Sequence, residues 1–316
     1  MSLYLNKKLT QLSLLGNTIS GVIFSSRIIP MLRSLRELFS IDLSGNELSD
    51  DDIKNFCEFL KSNKVIKIVT LSNNKISTNG GFFLADALVK NKTIETLNIS
   101  HNNINESGIA SLLNVLTNNN NTVTNLNIGY NNLKKEDFQA ISEYFNSNPN
   151  LSAIDISGNT IDPLSANIIG VSLKKAKKLK ILKVNRTGLS EESCPQLLNQ
   201  LNETSISDIE LDMNSFGTMG PIIIIGKFKS SPNLKRVSLR QCDLKPMVLD
   251  FVAKNLKNCD NLEMVNLEWN LFDDASFEKF CKEMEDNTNI MFKFSKQVLS
   301  KNAIDLVGDL KNIILI

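Results

Sequence analysis

Several residue types on which enzymes and metal proteins rely are scarce in this chain of 316 residues. Histidine occurs once, as His101, and tryptophan once, as Trp269. One histidine cannot form a multi-histidine metal site, and no serine lies in the G-x-S-x-G turn that exposes a hydrolase nucleophile. No spacing of carboxylates or cysteines matches an EF-hand or a zinc motif. The sequence therefore predicts no catalytic residue, no metal and no cofactor.

Long apolar segments and an excess of charge are also lacking. The longest apolar run, residues 222–225, is far shorter than the roughly 20 residues that span a bilayer. Residues 1–30 lack the segments of a secretory signal. The net charge is +1, so no global field draws the chain toward nucleic acid or an anionic membrane. We therefore expect a soluble protein that binds no nucleic acid and does not insert into membranes.

The one dense basic run consists of Lys174, Lys175, Lys177, Lys178, Lys180 and Lys183. Cations suit the C-terminal end of a helix, where the last carbonyl groups carry partial negative charge. We therefore interpret the run as a solvated helix end. The alternative is a site for an acidic partner or a lipid headgroup, which the single net charge of the chain does not favour.

The five cysteines are an odd number and show no C-x-x-C spacing. Cys57, Cys194 and Cys281 fall on apolar faces of helical segments, and Cys242 replaces an asparagine of the repeat described next. This placement predicts buried, reduced thiols, which are typical of a reducing compartment. We therefore expect a cytoplasmic protein.

A repeating pattern of aliphatic residues and asparagine is what the chain has in abundance. Residues 94–104 follow the template L-x-x-L-x-L-x-x-N-x-L, with Asn102 at the asparagine position. We call the residue at this position the rung residue of its repeat. Eleven rung residues follow one another at intervals of 27 to 29 residues: Asn17, Asn46, Asn74, Asn102, Asn131, Asn159, Thr187, Asn214, Cys242, Asn270 and Gln297. Such spacing indicates a repeat protein, in which each unit packs on its neighbours.

This pattern resembles the leucine-rich repeat superfamily. A period near 28 residues, with a helical second half, is similar to the ribonuclease-inhibitor subclass. That subclass includes the Ran GTPase-activating protein, NOD-like receptors, tropomodulin and CARMIL-type actin regulators. The resemblance implies an α/β solenoid, a horseshoe with a parallel inner sheet and outer helices.

The repeats account for almost the whole chain, so we predict one leucine-rich repeat domain over residues 1–316, with about eleven repeats of 27 to 29 residues. The template begins again at Leu310, Ile313 and Leu315 and then stops. This restart favours a fragment of a longer protein. The alternative is a complete protein in which residues 3–5 and the last strand are edge elements.

Two departures from the template predict local irregularity. At three rung positions Thr187, Cys242 and Gln297 replace asparagine, and threonine and cysteine cannot supply the hydrogen bonds of an amide. We therefore expect the C-terminal half to be less regular. Residues 221–226 place four isoleucines between proline and glycine, and because a β-branched run is a poor helix former, we expect an irregular outer segment there.

Side chains on the predicted strand face lie six, four and two positions before each rung residue. In repeats two to six these are small or neutral, apart from Asp42 and Asp155. In repeats seven to eleven they are charged or large, and the residue just before the rung adds further large side chains. The candidate partner-binding residues are Tyr130, Arg186, Asp208, Glu210, Asp212, Met213, Arg236, Arg240, Glu268 and Trp269.

Two interpretations of this cluster are open. Exposed strand positions must be polar, and opposite charges pair across neighbouring strands for a modest gain in stability. Tryptophan, tyrosine and arginine, however, dominate interface hot spots, and Trp269 projects from a loop position instead of an apolar spacing. Repeat proteins commonly bind partners on their concave surface, which favours the second interpretation.

The functional hypothesis is a non-enzymatic, cytoplasmic module that binds a protein partner on its concave face. One alternative is a regulator of a small GTPase, similar to the Ran GTPase-activating protein, although no catalytic residue of that family can be carried over. Another is an actin-regulatory domain of CARMIL or tropomodulin type. The sequence predicts neither the partner nor the oligomeric state.

Overall fold

The computed structural model describes residues 6–105, 107–257, 259–287, 289–308 and 310–316. The chain forms two compact units, Met1–Asn159 (unit 1) and Thr160–Ile316 (unit 2). The proposed edge element at residues 3–5 lies outside the described residues. Each unit is described by itself below.

Unit 1 alternates short strands with helices. Its strands are β1 (Gln11–Ser13), β2 (Ser40–Asp42), β3 (Ile68–Thr70), β4 (Thr96–Asn98), β5 (Asn125–Asn127) and β6 (Ala153–Asp155). Each strand pairs in parallel with the next one along the chain. The helices are α1 (Ile29–Ser34), which continues a π-helical turn at Phe24–Ile28, α2 (Asp50–Ser62), α3 (Thr78–Lys90), α4 (Ser107–Asn118) and α5 (Lys135–Ser147).

Unit 2 repeats the same plan. Its strands are β7 (Ile181–Lys183), β8 (Asp208–Glu210), β9 (Arg236–Ser238), β10 (Met264–Asn266), β11 (Met291–Phe294) and β12 (Ile313–Leu315), again paired in parallel in chain order. Its helices are α6 (Pro163–Leu173), α7 (Ser193–Leu198), α8 (Gly220–Lys229), α9 (Pro246–Leu256), α10 (Asp274–Met284) and α11 (Lys301–Asp305). Strand β12 confirms the predicted restart of the template.

The apolar template positions form the core. In β4 the central Leu97 is buried, whereas Thr96 and Asn98 on either side are half-buried on the opposite face. Helix α2 buries its apolar stripe and begins after Ser49, which forms a capping box with Asp52. The period of two in the strands and of 3.6 in the helices thus directs both elements to one core.

The rung asparagines connect neighbouring repeats through their amide groups. In unit 1, Nδ2 of Asn159 donates to three backbone carbonyls, two in its own repeat and one in the repeat before. Its Oδ1 accepts from the backbone N–H groups of Asn131 and Leu133 at 3.0 and 3.1 Å. This pattern confirms that the rung amides satisfy buried backbone groups of the turns.

The substituted rungs make fewer such bonds. Thr187 donates through Oγ1 to the carbonyl of Val184 at 2.9 Å, and Cys242 Sγ lies 3.3 Å from the carbonyl oxygen of Leu211. The prediction that Gln297 is a rung residue is wrong. Gln297 is exposed in a 3-10 turn, Lys296–Val298.

A second asparagine ladder, not predicted from the sequence, lies at the other ends of the strands in unit 1. It consists of Asn63, Asn91, Asn120 and Asn148, each eleven residues before a rung asparagine. The amide of Asn120 donates to the carbonyls of Leu88 and Asn91 at 2.9 and 2.8 Å and accepts from the N–H of Thr122. In unit 2 the first four equivalent positions hold Ala176, Thr204, Ser231 and Cys259, and the next holds Asn287, whose amide donates to the carbonyl of Lys257. A fixed offset of eleven residues was the signal that could have revealed this ladder.

The expected irregular segment at residues 221–226 is instead part of the regular helix α8. Pro221 occupies the first turn, where its missing N–H costs nothing, and Ile224 and Ile225 are buried. Packing has therefore overridden the poor intrinsic propensity of the isoleucines. The less regular outer segment is one repeat earlier, where α7 is short and a 3-10 turn, Leu201–Glu203, follows it.

The five cysteines are buried free thiols, which confirms the prediction for Cys57, Cys194, Cys242 and Cys281 and adds Cys259. Burial raises the pKa of Cys242 and of Cys281, each to about 12, so these thiols stay protonated and unreactive at neutral pH. Over the described ranges, no helix combines the length and the apolar character that a membrane span requires.

Candidate partner-binding face

The strands of unit 2 bring most of the predicted site residues onto one surface. We call this surface the charged face; it consists of Lys183, Asp208, Glu210, Asp212, Arg236, Arg240 and Glu268. In β8 the side chains alternate, so that Ile209 is buried while Asp208 and Glu210 point to the opposite side. Parallel register places Arg236 of β9 beside Asp208.

Opposite charges pair across neighbouring strands of this face. Arg236 contacts both carboxylate oxygens of Asp208, with Nη2 at 3.1 Å from Oδ2, and approaches Glu263 at 3.4 Å. Lys183 lies 2.8 Å from Glu210. The prediction of cross-strand pairing is confirmed for these residues. Because the pairs are partly exposed, each contributes at most about 1 kcal/mol to stability.

Asp212 and Glu268 are held more deeply than the paired residues. Burial raises the pKa of the Asp212 carboxyl, while hydrogen bonds from Ser238 and from the backbone N–H of Arg240 offset part of that effect. Glu268 is 9% exposed and accepts from the amide of Asn266 at 2.7 Å. Both carboxylates are therefore fixed in position before any partner arrives.

A depression of about 320 Å³ opens on the charged face. Asp208, Glu210 and Asp212 line one side of it, and Arg236 and Met264 line the other. The depression combines fixed charges with an apolar methionine wall. It can accept a side chain that carries both an apolar stem and a polar end.

Four loop residues beside the charged face have a left-handed backbone. These are Arg186, Met213, Gln241 and Trp269, with φ between 52° and 57°, and each directly precedes a rung residue. We call them the left-handed row. The parallel hydrogen-bond ladder continues to them, since the N–H of Met213 donates to the carbonyl of Arg240 and that of Gln241 to Glu268, both at 2.9 Å. The row therefore follows the strand order.

Large side chains at these positions oppose the backbone preference. A left-handed conformation costs a residue other than glycine about 1–2 kcal/mol. In unit 1 the same position is also left-handed; it holds glycine in three repeats, Gly16, Gly45 and Gly158, and a larger residue in three, Asn73, His101 and Tyr130. In the row, Trp269 is 42% exposed and Met213 37% exposed, while Arg186 and Gln241 are exposed as well. In unit 2 none of these four positions holds glycine, so each of them carries an exposed side chain where glycine would be less strained.

Gln241 was missed in the sequence, although the recurrence of glycine just before the rung signals a left-handed position. Tyr130, which was predicted to belong to the site, lies in unit 1. Its ring stacks on His101 with 4.0 Å between centroids, and it covers Gly158, where an added Cβ would lie 2.3 Å from the ring. Packing within unit 1 thus accounts for the position of Tyr130.

Comparisons with known proteins agree with this architecture. A family model described as Leucine Rich repeat matches residues 90–113. An internalin, InlF of Listeria monocytogenes, superposes with a TM-score of 0.53 at 13% identity, over 98% of this chain and 86% of that one. The chain has the leucine-rich repeat fold. The leucine-rich repeat-containing protein LegL7 of Legionella pneumophila gives a TM-score of 0.52 at 16% identity, over 96% of this chain and 90% of that one.

A third structure, the actin-binding site 2 of leiomodin-1, is 23% identical but covers only 45% of this chain and 82% of its own, with a TM-score of 0.40. No curated protein sequence matches the chain. The internalin and LegL7 similarities establish the fold alone, and the ribonuclease-inhibitor subclass stays a prediction.

Leucine-rich repeat folds commonly mediate protein–protein contacts. On the part of the chain that the structure describes, no group of three or more histidine, cysteine or carboxylate side chains could hold a metal ion. The charged face and the left-handed row offer fixed charges, methionine and tryptophan to an incoming surface. Such residues are suited to contact with another protein.

Proposed function

We propose that the chain is a non-enzymatic interaction module that binds a protein partner through the charged face and the left-handed row of unit 2. The observation that carries this proposal is Trp269. It is the sole tryptophan of the chain, it is 42% exposed, and it occupies a left-handed position that glycine fills in three repeats of unit 1. A strained, exposed aromatic side chain is a typical feature of a functional surface.

The side chains of the charged face are held in place before a partner binds, which supports the proposal. Ion pairs and hydrogen bonds already fix Asp208, Asp212 and Arg236, so that binding immobilises few further side chains. Preorganisation of this kind lowers the entropic cost of association. Fixed charges also select partners with a complementary pattern, which contributes specificity more than affinity.

We place this function in the cytoplasm, because the free, buried thiols are suited to a reducing compartment. Regulation of a small GTPase and regulation of actin assembly stay as predictions from the family resemblance. No contact among the described residues favours either one.

The test is quantitative affinity capture from the source cell, with mass spectrometry, using the wild-type chain and Trp269→Ala in parallel. Loss of a hot-spot side chain costs about 2 kcal/mol or more, which is roughly a thirtyfold loss of affinity. We expect the main partner to disappear from the Trp269→Ala capture while the melting temperature is retained.

The matched control is Val171→Ala, which removes another exposed apolar side chain of unit 2, on helix α6. We expect the control to retain the partner. Equal capture by wild type and Trp269→Ala, or equal loss with Val171→Ala, would contradict the proposal.

A further inference from the structure

A group of exposed apolar side chains lies where the strands of unit 2 turn into the helices. We call it the apolar edge; it consists of Met213, Met219, Met247, Trp269 and Leu271. All five lie in, or directly border, the segments that join β8 to α8, β9 to α9 and β10 to α10. Three consecutive repeats therefore present methionine, leucine or tryptophan along one edge.

The corresponding positions of repeats two to four in unit 1 carry no apolar side chain. Just before the rung they hold Gly45, Asn73 and His101, just after it Glu47, Lys75 and Asn103, and five residues after it Asp51, Asn79 and Ser107. The same loop geometry is thus compatible with a fully polar edge. The apolar side chains of unit 2 are not required by the fold.

Methionine gives this edge the properties of an adaptable binding surface. Its unbranched thioether fills irregular gaps and is used repeatedly at surfaces that bind amphipathic helices. Met213 and Trp269 also occupy the left-handed position before the rung, which glycine fills in three repeats of unit 1. A large apolar side chain is thus retained at two of the five positions where glycine would be less strained. The methionines and this retention support contact with a partner.

The charge of the surrounding loops indicates what kind of partner fits. Segments 185–192, 212–219, 240–245 and 268–273 contain six acidic residues, Glu191, Glu192, Asp212, Asp243, Glu268 and Asp273, and three basic residues, Arg186, Arg240 and Lys245. Hydrogen bonds hold two of the carboxylates in place. Glu191 accepts from the backbone N–H of Thr218 at 2.9 Å, and Asp273 accepts from that of Ser276 at 2.8 Å. The edge is therefore apolar with a negative surround.

The spacing of the repeats matches a helix. Neighbouring parallel strands lie about 4.8 Å apart, and an α-helix rises about 5.4 Å per turn. A helix along the edge would place about one apolar residue opposite each repeat. An extended segment, whose side chains on one face recur about every 6.6 Å, would fall out of step sooner.

Resting on the proposed function, we infer that the apolar edge binds an amphipathic helix of the protein partner, with lysine or arginine flanking its apolar face. The apolar face of the helix covers the methionines, Trp269 and Leu271, while its basic residues meet the loop carboxylates. A lipid surface is the less suitable ligand, because the negative loops repel anionic headgroups.

The test uses the full chain and a fluorescein-labelled peptide of leucine and lysine, about 18 residues long, with its apolar residues at helical spacing. One control peptide has the same composition in scrambled order, and another has glutamate in place of lysine. Fluorescence anisotropy reports binding, and circular dichroism reports helix formation. We expect the amphipathic basic peptide to bind about tenfold or more tightly than both controls, and more weakly at high salt.

Variants assign the binding to the edge. The double variant Met219→Gln, Met247→Gln should weaken peptide binding about tenfold or more. The matched control is Leu164→Gln, because Leu164, like the two methionines, lies five residues after a rung residue and is 51% exposed, against 50% and 53% for them. Trp269→Gly should also weaken binding while the melting temperature is retained or raised, since glycine relieves the strain.

The inference is overturned if the scrambled or acidic peptide binds as well as the basic one, or if Leu164→Gln weakens binding as much as the methionine variant. It is also overturned if the chain binds phosphatidylserine vesicles through these residues but not the peptide. If Trp269→Ala abolishes capture of the native partner while the peptide does not bind, the proposed function stands and the helix inference fails. If capture is indifferent to Trp269→Ala, the proposed function fails, and the peptide measurements decide the inference separately.

Discussion

The two units share one repeat but differ in their asparagine ladders and in the side chains on their strand faces. Unit 1 frames its strands with two asparagine ladders and covers its strand face with small side chains, such as Ser44 and Ser72, which hydrogen bond to each other at 2.9 Å. Unit 2 lacks asparagine at four positions of the second ladder, retains it at Asn287, and replaces two rung asparagines. Its strand face carries charged side chains instead. In unit 1 the more complete asparagine ladders occur with small side chains on the strand face. In unit 2 the substituted ladders occur with large and charged side chains there.

This contrast separates what the fold needs from what it tolerates. Strands, buried template positions and helices recur in both units, so the core does not depend on a complete set of asparagines. The strand face and the loop edge vary freely, because they make few contacts that the core requires. Side chains that oppose local preference, such as Trp269 and Met213, are therefore the ones for which a partner provides the simplest explanation.

The largest expected effect on stability concerns how closely the helices of unit 2 pack against one another. At Gly170 of α6 an added Cβ would lie 2.4 Å from the carbonyl oxygen of Gln196 and 2.7 Å from that of Leu197. Because backbone atoms cannot move aside as side chains do, Gly170→Ala should lower the free energy of unfolding by about 3 kcal/mol in urea melts.

The control is Gly226→Ala in α8, where an added Cβ meets nothing within 4 Å. Alanine there should stabilise the helix by about 0.5–1 kcal/mol. A small loss at Gly170 would indicate that the helices of unit 2 are packed more loosely than the structure indicates.

The next effect compares a complete rung with a substituted one. Asn102 donates to three carbonyls and accepts from the N–H of Ile76, so Asn102→Ala should cost about 1–3 kcal/mol. Cys242→Ala should cost less, because a thiol is a weak hydrogen-bonding partner. Thermal or urea melts measure both. Equal losses, or a larger loss at Cys242, would show that the asparagine ladder is not what distinguishes the two units.

A smaller pair of effects concerns the left-handed positions. Met213→Gly should raise the free energy of unfolding by about 0.5–1 kcal/mol, since the relief of strain exceeds the entropy that glycine adds to the unfolded chain. Gly45→Ala in unit 1 should lower it by about 1 kcal/mol, because φ there is 65° and the nearest atoms are at ordinary contact distances. Destabilisation by Met213→Gly would mean that its side chain packs favourably.

The smallest effect is a pH dependence confined to unit 2. Burial raises the pKa of the Asp212 carboxyl above its ordinary value of 3.8. A carboxyl whose pKa is raised by folding destabilises the folded state when ionised, and the penalty disappears as the pH falls below the unfolded value. Asp212→Asn should therefore raise the melting temperature at pH 7, and the difference should vanish by about pH 3.

Ser100→Ala in unit 1 serves as the control, because no charge is removed and its effect should be the same at both pH values. A lower melting temperature for Asp212→Asn at pH 7 would indicate that the hydrogen bonds of the ionised carboxylate outweigh its burial.

Much of the fold could be predicted because the template positions have a single physical role. Leu97 and its equivalents are apolar at fixed intervals, and such residues must be buried together. The position of Gln297 could not be predicted, since a 3-10 turn there depends on the local chain and not on the period. Helix α8 forms against its sequence preference because buried Ile224 and Ile225 gain more from packing than the helix loses in propensity.

The candidate site was predictable in outline. Alternation along β8 and a constant repeat length place Asp208 next to Arg236, so their pairing follows from the sequence. The left-handed backbone of Trp269 was harder to predict. Such a conformation shows in the sequence only through the glycines that recur at the same position of other repeats. The hydrogen bond from Asn266 that holds the Glu268 carboxylate was not predicted, because the template does not fix which side chains on the strand face contact each other.

The hydrogen bonds of the rung asparagines also run in one direction along the stacked repeats. The side-chain oxygen of Asn74 accepts from the N–H groups of Asn46 and Leu48, so Asn74 satisfies two backbone donors of the preceding repeat. The amide nitrogen of Asn74 donates to the carbonyl of Leu43 in the same preceding repeat. Replacing a rung asparagine should therefore loosen the turn of the preceding repeat more than that of the following one, a difference that amide hydrogen exchange can measure.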